Sequence, residues 1–394
     1  MRAVTVVGGS LAGVQVVKTL RNRGFDGAIT LVGDEVHLPY DRPPLSKSVL
    51  TGEADADTLG YLDRAWFDDH AIELRLGERA TRLDITDRTI YTDSSTLHFS
   101  DLVIATGARA RNPFTNTPTG VFTLRTIDDA LQIRDALSDA KYVVVVGGGF
   151  IGLEVASAAR SRGTQVTIVE AAEIPLSRNV GTDVAPALSA LARTHGITLT
   201  CGRSVASIDG TAHVESITLD NGTLIRCDTV IVGVGAIPNT DWLTDSGLEL
   251  GPAGLVCDRT GRAAPHIWAA GDVCAWRDTN ETPHRHEHWT SAGEQARTVA
   301  HNLLDNGNRT VEAAPFVWSD QFGKRISIIG DTTGHDTVRF LSRGTEDLGA
   351  LYSRDGKFVG ACVVGQLRLV LKCRKWAAAG THTSEIPEWE LADL

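Results

Sequence analysis

The sequence predicts an α/β protein made of two doubly wound units and a small C-terminal α+β domain, and three observations carry that reading. Glycine-rich turns occur twice, at Gly8-Gly9-Ser10-Leu11-Ala12-Gly13 and at Gly147-Gly148-Gly149-Phe150-Ile151-Gly152. Each follows an apolar β-type run and opens an alanine-rich helical stretch, with an acidic residue about 20 positions on. Both halves then close on a strand that ends in glycine, Asp101 to Thr106-Gly107 in the first and Asp228 to Gly235 in the second. Such internal similarity indicates two units rather than one large sheet.

In chain order, the first strand is Ala3-Val4-Thr5-Val6-Val7, and the second ends in Val32-Gly33-Asp34-Glu35. The second unit repeats this with Val166-Thr167-Ile168-Val169 running into Glu170. Glycine lets the backbone approach a pyrophosphate, and the free N–H groups of the helix start hold its charge, so one chain carries two dinucleotide sites. A further apolar strand, His266 to Ala270, ends in Gly271-Asp272, too late for the second unit, and is expected to return to the first. The first domain is then discontinuous, 1–108 with 240–313, and residues 109–239 form an inserted domain. Ser291 and Glu294 have capping-box spacing, which predicts a helix start at this point. Beyond Pro315 short alternating strands such as Arg325 to Ile329 and Phe358 to Val363, followed by a helix-like segment, predict the α+β domain over 314–394.

With 394 residues and 42% hydrophobic content the chain has ample core for such domains. A net charge of −11 argues against nucleic acid or an anionic membrane as main partner. The first strand begins at Ala3, which leaves no room for a signal peptide, and no apolar run reaches the roughly 18 residues of a spanning helix, so a cytoplasmic location is expected. Six cysteines are scattered without a C-x-x-C pair, so neither a redox dithiol nor an iron-sulfur ligand set is expected. The run His284-Arg285-His286-Glu287-His288 invites a metal, but no pattern supplies further ligands, and histidines solvating a loop are the better reading.

The motif Leu38-Pro39-Tyr40-Asp41-Arg42-Pro43-Pro44-Leu45-Ser46-Lys47, supported by Gly147 to Glu154, Gly271-Asp272, Glu287-His288-Trp289 and Trp318-Ser319-Asp320-Gln321, resembles the FAD-dependent, NADH-linked ferredoxin reductases. These include putidaredoxin reductase and the reductase components of dioxygenases, with apoptosis-inducing factor more distant. The resemblance covers nearly the whole chain and implies a glutathione-reductase-like pair of Rossmann domains. For FAD it implies Gly8, Ser10, Leu11, Ala12, Gly13, Ala80, Thr106, Gly107, Arg125, Gly271, Asp272, His288 and Trp289. It favours Asp34 over its neighbour Glu35 for the ribose and sets Arg42 on the pyrophosphate, where the alternative is a surface arginine. Asp272 resembles the aspartate of the ribityl chain, and the following helix is expected to turn its positive end towards flavin N1 and O2, the alternative being an ordinary capped helix.

For NADH the resemblance implies Gly147, Gly149, Phe150, Ile151, Gly152, Glu154, Glu170 and Gly235. Phe150 either stacks on the isoalloxazine or serves as a helix-start core residue. A 2′-phosphate would meet the Glu170 carboxylate, and like charges in contact cost several kcal/mol, so NADH is favoured over NADPH; Arg178 could reach the cofactor edge, although a matching arginine in the relatives is compatible with NADH. Lys47 and Glu154 are the implied catalytic pair beside flavin N5; the alternative is a plain inter-domain salt bridge. Two departures stand out: Ser10 replaces the middle glycine of the first turn, and Val363 to Arg368 lacks the Asn-x-Pro often found there.

The reaction so implied is hydride transfer from NADH to FAD, then single electrons to a separate iron-sulfur ferredoxin that feeds an oxygenase. Arg368, Lys372, Arg374 and Lys375 form a basic run suited to an acidic ferredoxin docking near Trp318, or else a solvated helix face. Other acceptors (rubredoxin, quinone, oxygen) and a redox-sensing interaction protein are the competing readings.

Overall fold

A computed structural model describes residues 2–311, 314–344 and 347–386. The expected domain ends at 1, 313 and 394 lie outside the described residues. The chain divides into two compact units: Met1–Asp41, Leu59–Arg109 and Ile237–Ala313 form one, and Arg42–Thr58, Ala110–Ala236 and Ala314–Leu394 form the other.

In the first unit a six-stranded sheet runs in the order Arg262–Ala264, Ile267–Ala269, Asp101–Ile104, Ala3–Val7, Ala28–Gly33, Ile72–Leu76. All neighbours are parallel except the first pair. Parallel strands covered on both faces read as unbroken apolar runs. Val4, Val6 and Val7 are accordingly buried. The late strand Ile267–Ala269 pairs with Asp101–Ile104, Ile267 opposite Leu102, so the chain does return to this sheet after the inserted segment. The helix Leu11–Asn22 buries Val14, Val17 and Leu20 and packs on the helix Trp289–Asp305.

That second helix begins earlier than Ser291. Its N-cap is His288, whose extended backbone (φ −126°, ψ 139°) precedes the first helical residue, Trp289. Ser291 is inside the first turn, and Glu294 pairs with Arg297 at 2.8 Å instead of closing a capping box.

The second unit centres on a parallel sheet in the order Thr198–Cys201, Gln165–Glu170, Tyr142–Val146, Thr229–Val232, Val121–Thr123. Its C-terminal part is a five-stranded antiparallel sheet, Phe316–Gln321, Lys324–Gly330, Lys357–Val364, Leu348–Arg354, Thr337–Arg343, with the helix Leu367–Ala379 against it. Leu369, Val370, Cys373 and Trp376 of that helix bury themselves on the sheet.

Arg109 and residues 237–239 group with the first unit, and two longer segments also group otherwise than in the three expected domains. Residues 42–58 leave the first domain, because the 3₁₀ turn Pro43–Ser46 and the short helix Ser48–Thr51 pack on the helices Ile127–Asp139 and Phe150–Ser161. The C-terminal sheet joins the same unit through polar seams. Ser157 on the helix Phe150–Ser161 accepts from the Phe322 amide at 2.7 Å. The helix Ser177–Thr194 is broken at Gly181 (φ 75°, ψ 165°), which strands carbonyls of the turn before it. The Tyr352 hydroxyl donates to the Val180 carbonyl at 2.6 Å, and Thr332 donates to that of Asn179. Tyr352 is fully buried, and that burial pushes its phenol pKa up, keeping the proton it donates.

Candidate functional site

The two glycine turns have the same construction. Gly8 (φ 125°) and Gly147 (φ 107°) take backbone angles that side chains disfavour, and a Cβ there would lie 2.0 Å from the Ala105 carbonyl and 2.3 Å from that of Gly233. Gly13 and Gly152 let each helix close onto its turn, since a Cβ would sit 1.9 Å from the Gly8 oxygen and 2.1 Å from the Gly147 oxygen. Around Gly149, by contrast, the space where a Cβ would lie is open, and Ile151 is 45% exposed at the start of its helix, with Phe150 half-buried beside it. A helix start with bare backbone, open space and outward N–H groups fits a pyrophosphate. Ser10 is the N-cap residue of its helix, with Leu11 half-buried and Ala12 buried behind it.

On the second unit Lys47 and Glu154 meet. The ammonium lies 2.8 Å from Glu154 Oε2, and the carboxylate is only 5% exposed. The helix Phe150–Ser161 sets Glu154 one turn behind the glycine loop on its buried face. Lys47 also donates to the Pro43 carbonyl at 3.1 Å, so the Pro-Pro-Leu-Ser turn orients it. Two further donors were not anticipated: Ser46 donates to Oε2, and Ser319 donates to Oε1 at 2.5 Å. Gln321 in turn donates to Ser319 Oγ at 2.9 Å. Both serines sit in motifs quoted for the resemblance, but a serine in a motif does not announce its partner.

Glu170 ends its strand with both oxygens turned to the chain: Oε2 accepts from the Gly148 amide at 2.6 Å and Oε1 from Ala172 at 2.8 Å. It thus braces the glycine turn as well as presenting charge beside it. Gly235 (φ 103°) has open space where a Cβ would be, and its carbonyl accepts from Arg111. Arg42 donates to the Arg125 carbonyl at 2.6 Å, which brings these two expected residues together within the second unit.

On the first unit, Asp34 follows the strand Ala28–Gly33 and pairs with Arg79 at 3.2 Å, whereas Glu35 accepts from the Tyr40 hydroxyl at 2.5 Å. Asp41 binds both Tyr61 (2.8 Å) and the Trp289 indole (2.7 Å), tying the Pro-Tyr-Asp motif to the helix start at Trp289. Thr106 and Asn239 exchange hydrogen bonds of 3.0 and 2.8 Å, and the Gly107 carbonyl accepts from the Asn239 amide. Ala80 begins the strand Ala80–Asp84, which pairs with Thr89–Thr92. The Gly271 amide donates to Gln295 at 2.8 Å, fixing the turn that carries Asp272. Burial lowers the pKa of His288, helped by His286 and opposed by Asp272, and burial with nearby His284 lowers that of His286. These rings stand 6.5 Å apart along the segment, and among the described residues no group of three or more His, Cys, Asp or Glu side chains is placed to hold a metal ion.

All six cysteines are unpaired, and five are buried. Burial pushes the thiols of Cys227, Cys362 and Cys373 up to about 12 and that of Cys257 well up, so they stay protonated and unreactive. Among the described residues no helix is long and apolar enough to cross a membrane.

A family model described as pyridine nucleotide-disulphide oxidoreductase matches residues 2–296, and one described as reductase C-terminal matches residues 316–393. Rhodocoxin reductase of Rhodococcus erythropolis is 34% identical over 88% of this chain and 82% of its own length. The ferredoxin–NAD(+) reductase subunit of the benzene 1,2-dioxygenase system of Pseudomonas putida is 33% identical over 88% and 84%. Among solved structures, the ferredoxin reductase for the CYP199A2 system of Rhodopseudomonas palustris superposes with a TM-score of 0.92 at 33% identity, covering 97% of this chain and 96% of that one. The covalent putidaredoxin reductase–putidaredoxin complex gives 0.92 at 28% identity over 100% and 98%. With two glycine cradles of one construction and both models matched along its length, the chain belongs to the pyridine nucleotide-disulphide oxidoreductase family, in the branch that ends in a reductase C-terminal domain.

Proposed function

We propose that this protein is a cytoplasmic NADH-dependent, FAD-containing ferredoxin reductase that supplies electrons to an oxygenase. The observation that carries this reading is the duplicated glycine cradle, one in each unit, with the buried Glu154 carboxylate paired to Lys47 behind the second. The relatives named as ferredoxin reductases, and a structure holding putidaredoxin reductase with putidaredoxin, support the acceptor. When bound, FAD accepts hydride from NADH and releases the electrons one at a time, the step a one-electron ferredoxin requires.

The chain's own residues do the rest. Gly8 to Gly13 hold the flavin dinucleotide's phosphates, Asp34 takes the ribose and Asp272 the ribityl chain. Gly147 to Gly152 hold NADH, and Glu170 accepts its adenosine ribose while repelling a 2′-phosphate. Lys47, oriented by Glu154, offers fixed positive charge where negative charge builds up on the flavin. The exposed Arg368, Arg374 and Lys375 of the helix Leu367–Ala379 give an acidic ferredoxin a basic face. Thiol chemistry, which the family name suggests, finds Cys227, Cys257, Cys362 and Cys373 buried and held as protonated thiols.

NADH-driven reduction of cytochrome c across a panel of ferredoxins tests the proposal. A large ferredoxin-dependent rate is expected. If NADH fails to bleach the flavin, the reading is wrong at its root; if it bleaches the flavin and no ferredoxin speeds cytochrome c reduction, a different acceptor is served.

A further inference from the structure

Glu154 is held from three separate stretches of chain. Lys47 and Ser46 come from the Pro-Pro-Leu-Ser-Lys turn, Glu154 from the helix behind the second glycine loop, and Ser319 from the C-terminal sheet, 165 residues further on. Ser319 is fully buried and Gln321 nearly so, on the same face of the strand Phe316–Gln321, whose alternation turns Asp320 outward to pair with Arg325 at 2.7 Å. A serine hydroxyl has one proton. Because Gln321 donates to Ser319 Oγ, that proton is left to point at Glu154 Oε1. An ionised carboxylate has about four acceptor sites, and Lys47, Ser46 and Ser319 fill three. About one remains, and its direction is set by where Ser319 holds the carboxylate.

We infer that Ser319, backed by Gln321, is a positioning residue for NADH: it turns the Glu154 carboxylate so that its remaining acceptor site meets the carboxamide of the nicotinamide. The C-terminal domain therefore completes the dinucleotide site of the second unit. This rests on the reading of the second cradle as the NADH site.

The test compares the flavin-loaded wild type with Ser319→Ala, Ser319→Thr and Gln321→Leu in three measurements: the dissociation constant of NAD+ for the oxidised protein, flavin reduction by NADH in stopped flow, and the melting temperature. Losing a hydrogen bond to a charged group predicts about tenfold weaker NAD+ binding and about tenfold slower reduction for Ser319→Ala. Ser319→Thr, which keeps the hydroxyl, should return within about twofold of wild type, and Gln321→Leu should fall between. If Ser319→Ala melts lower but binds NAD+ and reduces like wild type, Ser319 is packing alone and the inference is wrong. If Ser319→Ala does not fold, equal NAD+ affinity in Gln321→Leu and wild type overturns it. A wild type that binds no NAD+ overturns instead the reading of the cradle.

Discussion

Lys47 at 18% and Glu154 at 5% exposure form an ion pair that cannot lose one member cheaply. Removing Lys47 leaves the buried Glu154 carboxylate without its cation, at a cost of about 3–5 kcal/mol. Lys47→Ala and Glu154→Ala should each keep about one FAD per chain and lower the melting temperature, yet slow stopped-flow flavin reduction by tenfold or more. Reduction at the wild-type rate in both would make the pair a structural salt bridge. Glu170 is the second residue with a dual duty. Wild type should prefer NADH over NADPH about a hundredfold in kcat/KM, since several kcal/mol of repulsion are at stake. Glu170→Ala should narrow that gap and also raise KM for NADH, because it removes the brace on the Gly148 and Ala172 amides. Kinetics with both nucleotides check this, and an unchanged preference would place the discrimination elsewhere. What the sequence revealed at this scale was whatever has a local pattern. Glycines that must approach a carbonyl, and acids at strand ends, are legible from spacing. Ser319 was not, since a hydrogen bond spanning 165 residues leaves no local trace.

At the scale of elements, the segment from His284 to His288 leads into the helix Trp289–Asp305 with imidazoles that resist protonation. Their folded pKa values lie below the ordinary 6.5, so as pH falls through that value the unfolded chain binds protons first. The stability they contribute is present above 6.5 and is lost progressively below it. Thermal melts at about pH 7.5 and 5.5 should show a smaller acid-induced drop in a His286→Gln/His288→Gln variant than in wild type; equal drops would assign the acid lability to other groups. The mistaken helix start belongs here as well. Capping-box spacing also arises inside a helix, and only the extended backbone of His288 shows where the helix begins. The helix Leu367–Ala379 exposes Leu367 (70%) and Leu371 (58%) among Arg368, Arg374 and Lys375, while Lys372 is half-buried. Arg368→Glu with Lys375→Glu should weaken ferredoxin reduction severalfold, leave ferricyanide reduction nearly intact, and matter less as salt rises, since screening at 0.1 M sets in near about 10 Å. Parallel loss of both activities would show that the helix serves the fold.

For the whole molecule, the two repeated units were legible because each carries its own strand, turn and helix in order. The grouping of residues 42–58 and of the C-terminal sheet with the second unit was not, because packing partners far apart in sequence decide it. Deleting residues 314–394 removes Ser319, Thr332 and Tyr352 at once, leaving Glu154 short of a donor and the Val180 and Asn179 carbonyls without these caps. Such a chain should melt well below wild type and lose NADH-driven flavin reduction along with ferredoxin reduction. Retention of full reduction by the shortened chain would refute that dependence. The broken helix at Gly181 also has a meaning in time. Val180 waits for Tyr352, made 172 residues later, which at the usual 5–20 residues per second is roughly 10–30 s of translation. A chain released between residues 314 and 318 has the whole of the first unit but lacks Ser319, Thr332 and Tyr352, and on the proposed function it should not pass hydride from NADH to flavin.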